Sequence, residues 1–143
     1  MIETYEDALK AVKSNIFALQ NVPENFMTAE LCKIAVEGNG RSLRFIPKKL
    51  ITNKLCKIAM ESNGNALQFV PKKLVTTELC ETAVENTGIA LQYVPVELRT
   101  NELCKTAVSS NGFALKFVPE ELITGKLNGT ALENIRTAEL QGS

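Results

Sequence analysis

Apolar side chains recur along this chain at a helical spacing. The stretch TNKLCKIAMESNG, residues 52–64, places its apolar positions at i, i+1, i+4 and i+5, which gives a helix one continuous stripe: Leu55, Cys56, Ala59 and Met60. The shorter run NALQFV predicts a second helix that buries Ala66, Leu67 and Val70. Pro71 then ends this helix or starts one further turn, PKKL. No stretch shows the apolar–polar alternation of a half-buried strand.

The unit recurs with a constant period. Prolines and cysteines are each spaced 24 residues apart: Pro23, Pro47, Pro71, Pro95 and Pro119, and Cys32, Cys56, Cys80 and Cys104. A constant period of about 20–50 residues is typical of repeat arrays, in which each unit packs on its neighbours. The sequence therefore predicts an all-α fold, an α-solenoid of about five two-helix repeats plus a C-terminal partial capping repeat.

The period also sets the expected boundaries. We expect one domain over residues 1–143, with repeats at 1–27, 28–51, 52–75, 76–99 and 100–123, a cap at 124–140 and a tail at 141–143. Asn21, and in one alignment Asn134, replace an aromatic residue, as expected of end units that face water. A second alignment makes the C-terminal segment a longer capping helix. Because the chain closes on Gln-Gly-Ser after a new RTAEL, we expect a segment of a longer array.

Three further repeated features predict how each unit is built. A threonine precedes each long helix and can cap its first turn: Thr28, Thr52, Thr76 and Thr100. Asn-Gly at the far end predicts a C-cap with glycine in the left-handed conformation. One aromatic per repeat predicts a ladder in the core between stacked repeats: Phe45, Phe69, Tyr93 and Phe117.

The composition argues against catalysis and against a membrane span. The chain has 16 basic and 16 acidic residues and no histidine, so the common general base and activator of Ser or Cys nucleophiles is absent. No Gly-x-x-x-x-Gly-Lys phosphate loop occurs. No apolar run approaches the ~20 residues of a spanning helix, and the acidic start MIETYEDAL is not a secretory signal. We expect no enzyme activity, no catalytic residue and no cofactor.

The four cysteines are predicted to be buried structural thiols. Helices of neighbouring repeats pack about 8–10 Å apart, whereas the Cα atoms of a disulfide lie about 4.4–6.8 Å apart. A zinc site would place cysteine pairs about two to four residues apart, and these are 24 apart. No metal site is expected, and unpaired buried thiols fit the cytoplasm or another reducing compartment.

The unit ELCKTAVSSNGFALKFVPEELIT, residues 102–124, resembles a family of short tandem repeats, domain of unknown function 4116. The shared landmarks are Ala-Val, Asn-Gly, Ala-Leu and a short helix ending in Glu-Glu-Leu, and they cover nearly the whole chain. This chain departs by carrying proline where the family often has Ser or Ala. The resemblance implies a repeat scaffold and a host-interacting or effector-like protein, with delivery into a host cytosol; it supplies no catalytic residue.

Positions that vary between repeats divide the array by charge. Residues 29–52 carry five basic and two acidic residues, residues 53–76 four and one, and residues 77–100 one and four, for net charges of +3, +3 and −3. Since equivalent positions stack in a solenoid, one basic patch is expected: Arg41, Arg44, Lys48, Lys49, Lys72 and Lys73. Ile89, Val96 and Phe113 are apolar at positions where other repeats hold Arg, Asn or Lys. The basic patch is interpreted as a docking surface or as a solvated face, and the apolar residues as an exposed anchor or as packed surface.

These features favour a non-enzymatic protein–protein interaction scaffold with a protein or peptide partner, an acidic one given the lysines. The first alternative is a reader of an anionic surface, a phospholipid head group or nucleic acid. Nucleic acid is the weaker of these because the net charge is zero and no aromatic residues interleave the lysines. The second alternative is a repeat segment that serves a catalytic domain absent from this chain.

Overall fold

The computed structural model describes residues 2–123, which fold as five consecutive units with the same order of helical segments. Each unit opens with an α-helix: α1 Tyr5–Ser14, α2 Ala29–Gly38, α3 Asn53–Ser62, α4 Thr77–Asn86 and α5 Asn101–Ser110. A 3₁₀ helix of two turns follows: Ile16–Asn21, Gly40–Phe45, Gly64–Phe69, Gly88–Tyr93 and Gly112–Phe117. One short helical turn then follows each proline: Glu24–Phe26, Lys48–Leu50, Lys72–Leu74 and Val96–Leu98, and in the fifth unit the α-helical turn α6, Glu120–Ile123.

The units stack into an α-solenoid of two layers. Consecutive α-helices pack against each other in one layer, and consecutive long 3₁₀ helices do so in the other. Each of α3, α4 and α5 also contacts the 3₁₀ helices of its own and the preceding repeat. The predicted all-α solenoid with a 24-residue step is therefore confirmed over these residues, which contain no strand. The predicted cap and tail, 124–143, lie outside the described residues.

The core lies between the two layers and follows the predicted stripe. In α3 the buried side chains are Leu55, Cys56, Ala59 and Met60, and α2, α4 and α5 bury the same four positions. The predicted threonine caps are also present, since Thr52 Oγ1 accepts the N–H of Leu55 at 3.2 Å and Thr28, Thr76 and Thr100 do the same. Each cap satisfies an amide that the first turn leaves without a helical partner.

The helix predicted from NALQFV buries Ala66, Leu67 and Val70 as expected, but it is a 3₁₀ helix. Asn63 Oδ1 accepts the N–H of Asn65 at 2.9 Å and starts the helix at Gly64. At the other end, the N–H of Val70 donates to the carbonyl of Leu67 at 3.1 Å, an i→i+3 bond. Proline follows at once and has no N–H to extend the ladder. The segment between the asparagine and the proline is thus confined to two tight turns.

The predicted role of glycine in the Asn-Gly pair is wrong. The α-helix ends with Asn63 in an extended conformation, at φ −159°, and Gly64 does not adopt a positive φ. Instead, a Cβ on Gly64 would overlap the carbonyl oxygen of Ala83 in the next α-helix. Gly40 and Gly88 meet the carbonyl oxygens of Ala59 and Ala107 in the same way. Glycine is required because the backbones of neighbouring repeats meet there.

The first interface of the array exchanges the positions of the small and large residues. Ile16 occupies the position that glycine holds in the later repeats, and Gly38 occupies the position of Ser62 in the facing helix. A Cβ on Gly38 would contact Ile16 Cγ2 at an ordinary 3.4 Å. In the later interfaces the small residue is the glycine that begins the 3₁₀ helix. In this first interface the small residue is Gly38, on the facing α-helix.

Candidate interaction surface

The basic residues singled out in the sequence are all exposed. Arg41 and Arg44 are on the 3₁₀ helix Gly40–Phe45, and the four lysines are in the two turns after the prolines: Lys48 and Lys49, then Lys72 and Lys73. These six side chains therefore belong to the 3₁₀ segments of two adjacent repeats.

One of the four lysines is already paired within the chain. Lys49 Nζ lies 2.6 Å from Glu24 Oε1, with both side chains exposed. This pair joins the second residue after one proline to the first residue after the previous proline. An exposed pair of this kind contributes about 0.2–1 kcal/mol, so it orients the lysine more than it stabilises the array.

Arg44 is held against two aromatic rings of neighbouring repeats. Its guanidinium carbon lies 5.1 Å from the ring centroid of Phe45 and 5.9 Å from that of Phe69. Phe17 meets Phe45 edge-on, with the centroids 6.1 Å apart. Stacking of a guanidinium on aromatic faces restricts its rotamers while its donors stay accessible.

The predicted aromatic ladder is half-buried and packs against the core from one side. Phe45, Phe69, Tyr93 and Phe117 are all partly exposed. The ladder therefore contributes both to the core and to the surface on which the basic residues lie.

Of the apolar residues predicted on the acidic side, two are clearly exposed. Val96 and Phe113 are 64% and 57% exposed, whereas Ile89 is half-buried. The structure adds Phe17, which is 53% exposed and was missed in the sequence. The available signal was its register, because Phe17 and Phe113 occupy the same position of the repeat.

A groove of mixed apolar and polar lining begins at Lys72. It has a volume of about 390 Å³ and lies between the third and fourth repeats. Its walls are formed by Val70, Val75, Tyr93 and Pro95, with Lys72 and Glu97 at the charged edges. An aliphatic side chain of a partner would find apolar walls and opposite charges there.

Arg99 is a structural residue that sequence reasoning counted only as a charge. Its guanidinium donates to the carbonyl oxygens of Val94 at 2.8 Å and Gln92 at 3.2 Å, and across the repeat boundary to Phe117 at 2.8 Å. The signal was again register, because other repeats hold an aliphatic residue there: Met27, Ile51, Val75 and Ile123.

The four cysteines are buried free thiols, as predicted. Burial disfavours the thiolate and raises the pKa of Cys56, Cys80 and Cys104 to about 11, and it also raises the pKa of Cys32. Because the thiolate is the nucleophile and metal ligand, these cysteines are unreactive at neutral pH. Within residues 2–123, no group of three or more His, Cys, Asp or Glu side chains is placed to hold a metal ion.

The two-layer stack of 24-residue units with an exposed variable surface defines a helical-repeat protein of the α-solenoid class. Its sequence matches the family "Domain of unknown function (DUF4116)" in three stretches, residues 5–51, 52–99 and 76–123, of which the last two overlap, and the chain belongs to this family. No curated protein and no solved structure matched the chain. No helix in residues 2–123 has the length and apolar character needed to cross a membrane.

Proposed function

We propose that the repeats form a non-enzymatic scaffold that binds a protein or peptide partner along the 3₁₀ layer. One observation carries this proposal: the large apolar side chains that are exposed within residues 2–123 are Phe17 and Phe113, on long 3₁₀ helices, and Val96, in the turn after a proline. The α-helical layer presents no such side chain in the described part of the chain. Exposed aromatic and aliphatic side chains beside charged residues are typical of protein-binding surfaces.

The repeat pattern supports the same surface. Positions that the stack needs for its core, caps and close contacts carry the same residue types in successive repeats, whereas the positions of Phe17, Val96 and Phe113 change chemistry from repeat to repeat. A repeat array can vary those positions without altering its packing. Apolar side chains at exposed, freely varying positions are what recognition of a specific partner requires.

Selection from a random peptide library displayed on phage tests the proposal. The comparison variant carries Phe17→Asn, Val96→Lys and Phe113→Asn, which are residues that other repeats hold at these positions and which therefore leave the fold intact. We expect peptides selected on the natural chain to lose at least about tenfold in affinity for this variant, since buried apolar anchors dominate binding energies.

The matched control lies in the α-helical layer. Lys33→Glu is exposed on α2, and Glu81 occupies the equivalent position in α4. We expect this control to bind the selected peptides as the natural chain does. Peptides that bind the triple variant and the natural chain equally well would place the binding surface elsewhere.

A further inference from the structure

The turns after the prolines form two rows of charged and apolar side chains along the array. The first residue of each turn is Glu24, Lys48, Lys72, Val96 or Glu120, and the second is Asn25, Lys49, Lys73, Glu97 or Glu121. The Lys49–Glu24 pair shows how the rows interlock, because a second-row residue reaches the first-row residue of the previous repeat. By the same repeat spacing, Lys73 is the second-row residue equivalent to Lys49, and Lys48 is the first-row residue equivalent to Glu24.

One repeat after the Glu24–Lys49 pair, the equivalent positions hold two lysines, Lys48 and Lys73. Within the described residues, no carboxylate oxygen lies within 4 Å of the amino group of Lys48 or Lys73. Two exposed lysines in adjacent repeats, each without a carboxylate counterion among the described residues, present positive charge that attracts an external anion. Glu24 shows which group fits, since its carboxylate already occupies the corresponding place beside Lys49.

The length of this basic surface along the array determines which anionic partners fit it. Glu24 precedes it in the first row and Glu97 follows it in the second row, so the positive stretch covers only two repeats. A long polyanion or an anionic membrane would bring its charge against these carboxylates, and like charges brought together are destabilising. A short acidic segment of a peptide meets the lysines alone.

The groove of about 390 Å³ is lined by Lys72, which precedes Lys73 in the same turn. Arg44, stacked on Phe45 and Phe69, adds a restrained guanidinium to the basic surface. A peptide that places carboxylates at the lysines can therefore insert its next apolar side chain between Val75 and Tyr93.

We propose that the Lys48–Lys73 pair, together with the adjoining groove, binds an acidic–apolar peptide segment: two carboxylate side chains at the lysines and one aliphatic side chain in the groove. This inference rests on the proposed function and specifies the chemistry of the partner.

The test measures fluorescence polarisation with labelled eight-residue peptides that contain two adjacent glutamates and one leucine, placed one to four positions after them. A matched set replaces the glutamates by glutamines. At least one glutamate peptide is expected to bind, with its glutamine analogue about tenfold weaker, which equals about 1.4 kcal/mol. A glutamate set that does not bind, or binds no better than the glutamine set, overturns the inference.

Lys73→Glu is the informative variant, because the new carboxylate would pair with Lys48 as Glu24 pairs with Lys49 and so close the site from within. Lys57→Glu makes the same charge change in the same repeat, on the exposed face of α3. We expect Lys73→Glu to weaken peptide binding about tenfold and Lys57→Glu by less than about twofold. Equal losses in both variants would show that overall charge alone attracts the peptide and would overturn the inference.

Two other anions complete the test. A single-stranded oligonucleotide and phosphatidylserine vesicles are measured against the natural chain and Lys73→Glu at the same salt concentration. Tighter binding of either one, lost in Lys73→Glu, would replace the peptide by a phosphate-bearing partner. Peptides selected in the preceding experiment that lack carboxylates would preserve the scaffold proposal while this inference fails.

Discussion

At the scale of single residues, the glycine that begins the long 3₁₀ helix, Gly40, Gly64 or Gly88, is required for space between repeats. Its N–H also bonds across the interface: Gly64 donates to Asn86 Oδ1 at 3.1 Å and to Thr87 Oγ1 at 3.0 Å. Gly40 and Gly88 donate to Ser62 Oγ and Ser110 Oγ at 2.9 and 3.2 Å. A backbone that approaches a facing carbonyl closely and also satisfies its amide there leaves no room for a side chain.

Gly64→Ala is therefore expected to destabilise the protein by about 1–3 kcal/mol, because the added Cβ would overlap the Ala83 carbonyl oxygen and the two repeats would have to separate. Gly38→Ala is the matched control, since its Cβ would meet only Ile16 Cγ2 at 3.4 Å. Urea unfolding of both variants checks the prediction. A loss of stability that is the same at the two positions would refute the close-contact explanation.

At the scale of the elements, Arg99 connects the 3₁₀ helices of the fourth and fifth repeats. Its three acceptors are carbonyl oxygens at or near the C-terminal ends of Gly88–Tyr93 and Gly112–Phe117, where helical partners are missing. A planar guanidinium can donate to several carbonyls at once, whereas an aliphatic residue at this position can only pack. At this position the fourth interface is held by hydrogen bonds, whereas the equivalent positions of the other repeats carry aliphatic side chains.

Arg99→Ala is expected to lower the free energy of unfolding by about 2 kcal/mol, because it removes both the charged hydrogen bonds and the packing of the side chain. Arg99→Met restores the residue type of Met27 and is expected to recover about half of that loss. The measurement is urea unfolding at constant m-value. If Arg99→Ala were as stable as the natural chain, the three hydrogen bonds would be energetically unimportant.

The elements that the sequence predicted best are those whose signal is repeated. The apolar stripe of α3, its threonine cap and its bounds could be derived from spacing alone, because an amphipathic helix has one periodicity. The 3₁₀ character of Gly64–Phe69 could not, since a six-residue apolar run fits either helix type. The role of glycine could not be predicted from the sequence either, because it depends on how closely the next repeat approaches.

The equivalent placement of the lysines was predictable from the sequence, but their contacts were not. Lys48 and Lys72 open equivalent turns after successive prolines, as the repeat register predicts. The pairing of Lys49 with Glu24 depends on the offset between the two rows, which repeat spacing does not define. The stacking of Arg44 on Phe69 likewise depends on the step between repeats.

At the scale of the whole molecule, the array is a series of similar interfaces. The pairs α2–α3, α3–α4 and α4–α5 pack alike, and the same serine, asparagine or threonine hydrogen bonds to glycine recur at each. The stability of such an array is approximately a sum of repeat and nearest-neighbour contributions. The chain should therefore tolerate a change in the number of repeats but not in their register.

Duplication of residues 52–75 directly after residue 75 tests this expectation. At the new junction Gly64 of the first copy would face Ser62 of the second, which is the combination that Gly40 and Ser62 already form. We expect a higher midpoint of thermal unfolding, and an m-value larger by roughly one-fifth because it scales with the surface exposed on unfolding. Duplication of residues 52–63 alone is the control, since it displaces every later helix by half a repeat. If the half-repeat insertion were as stable and cooperative as the full one, the register of the stack would not determine the stability of the array.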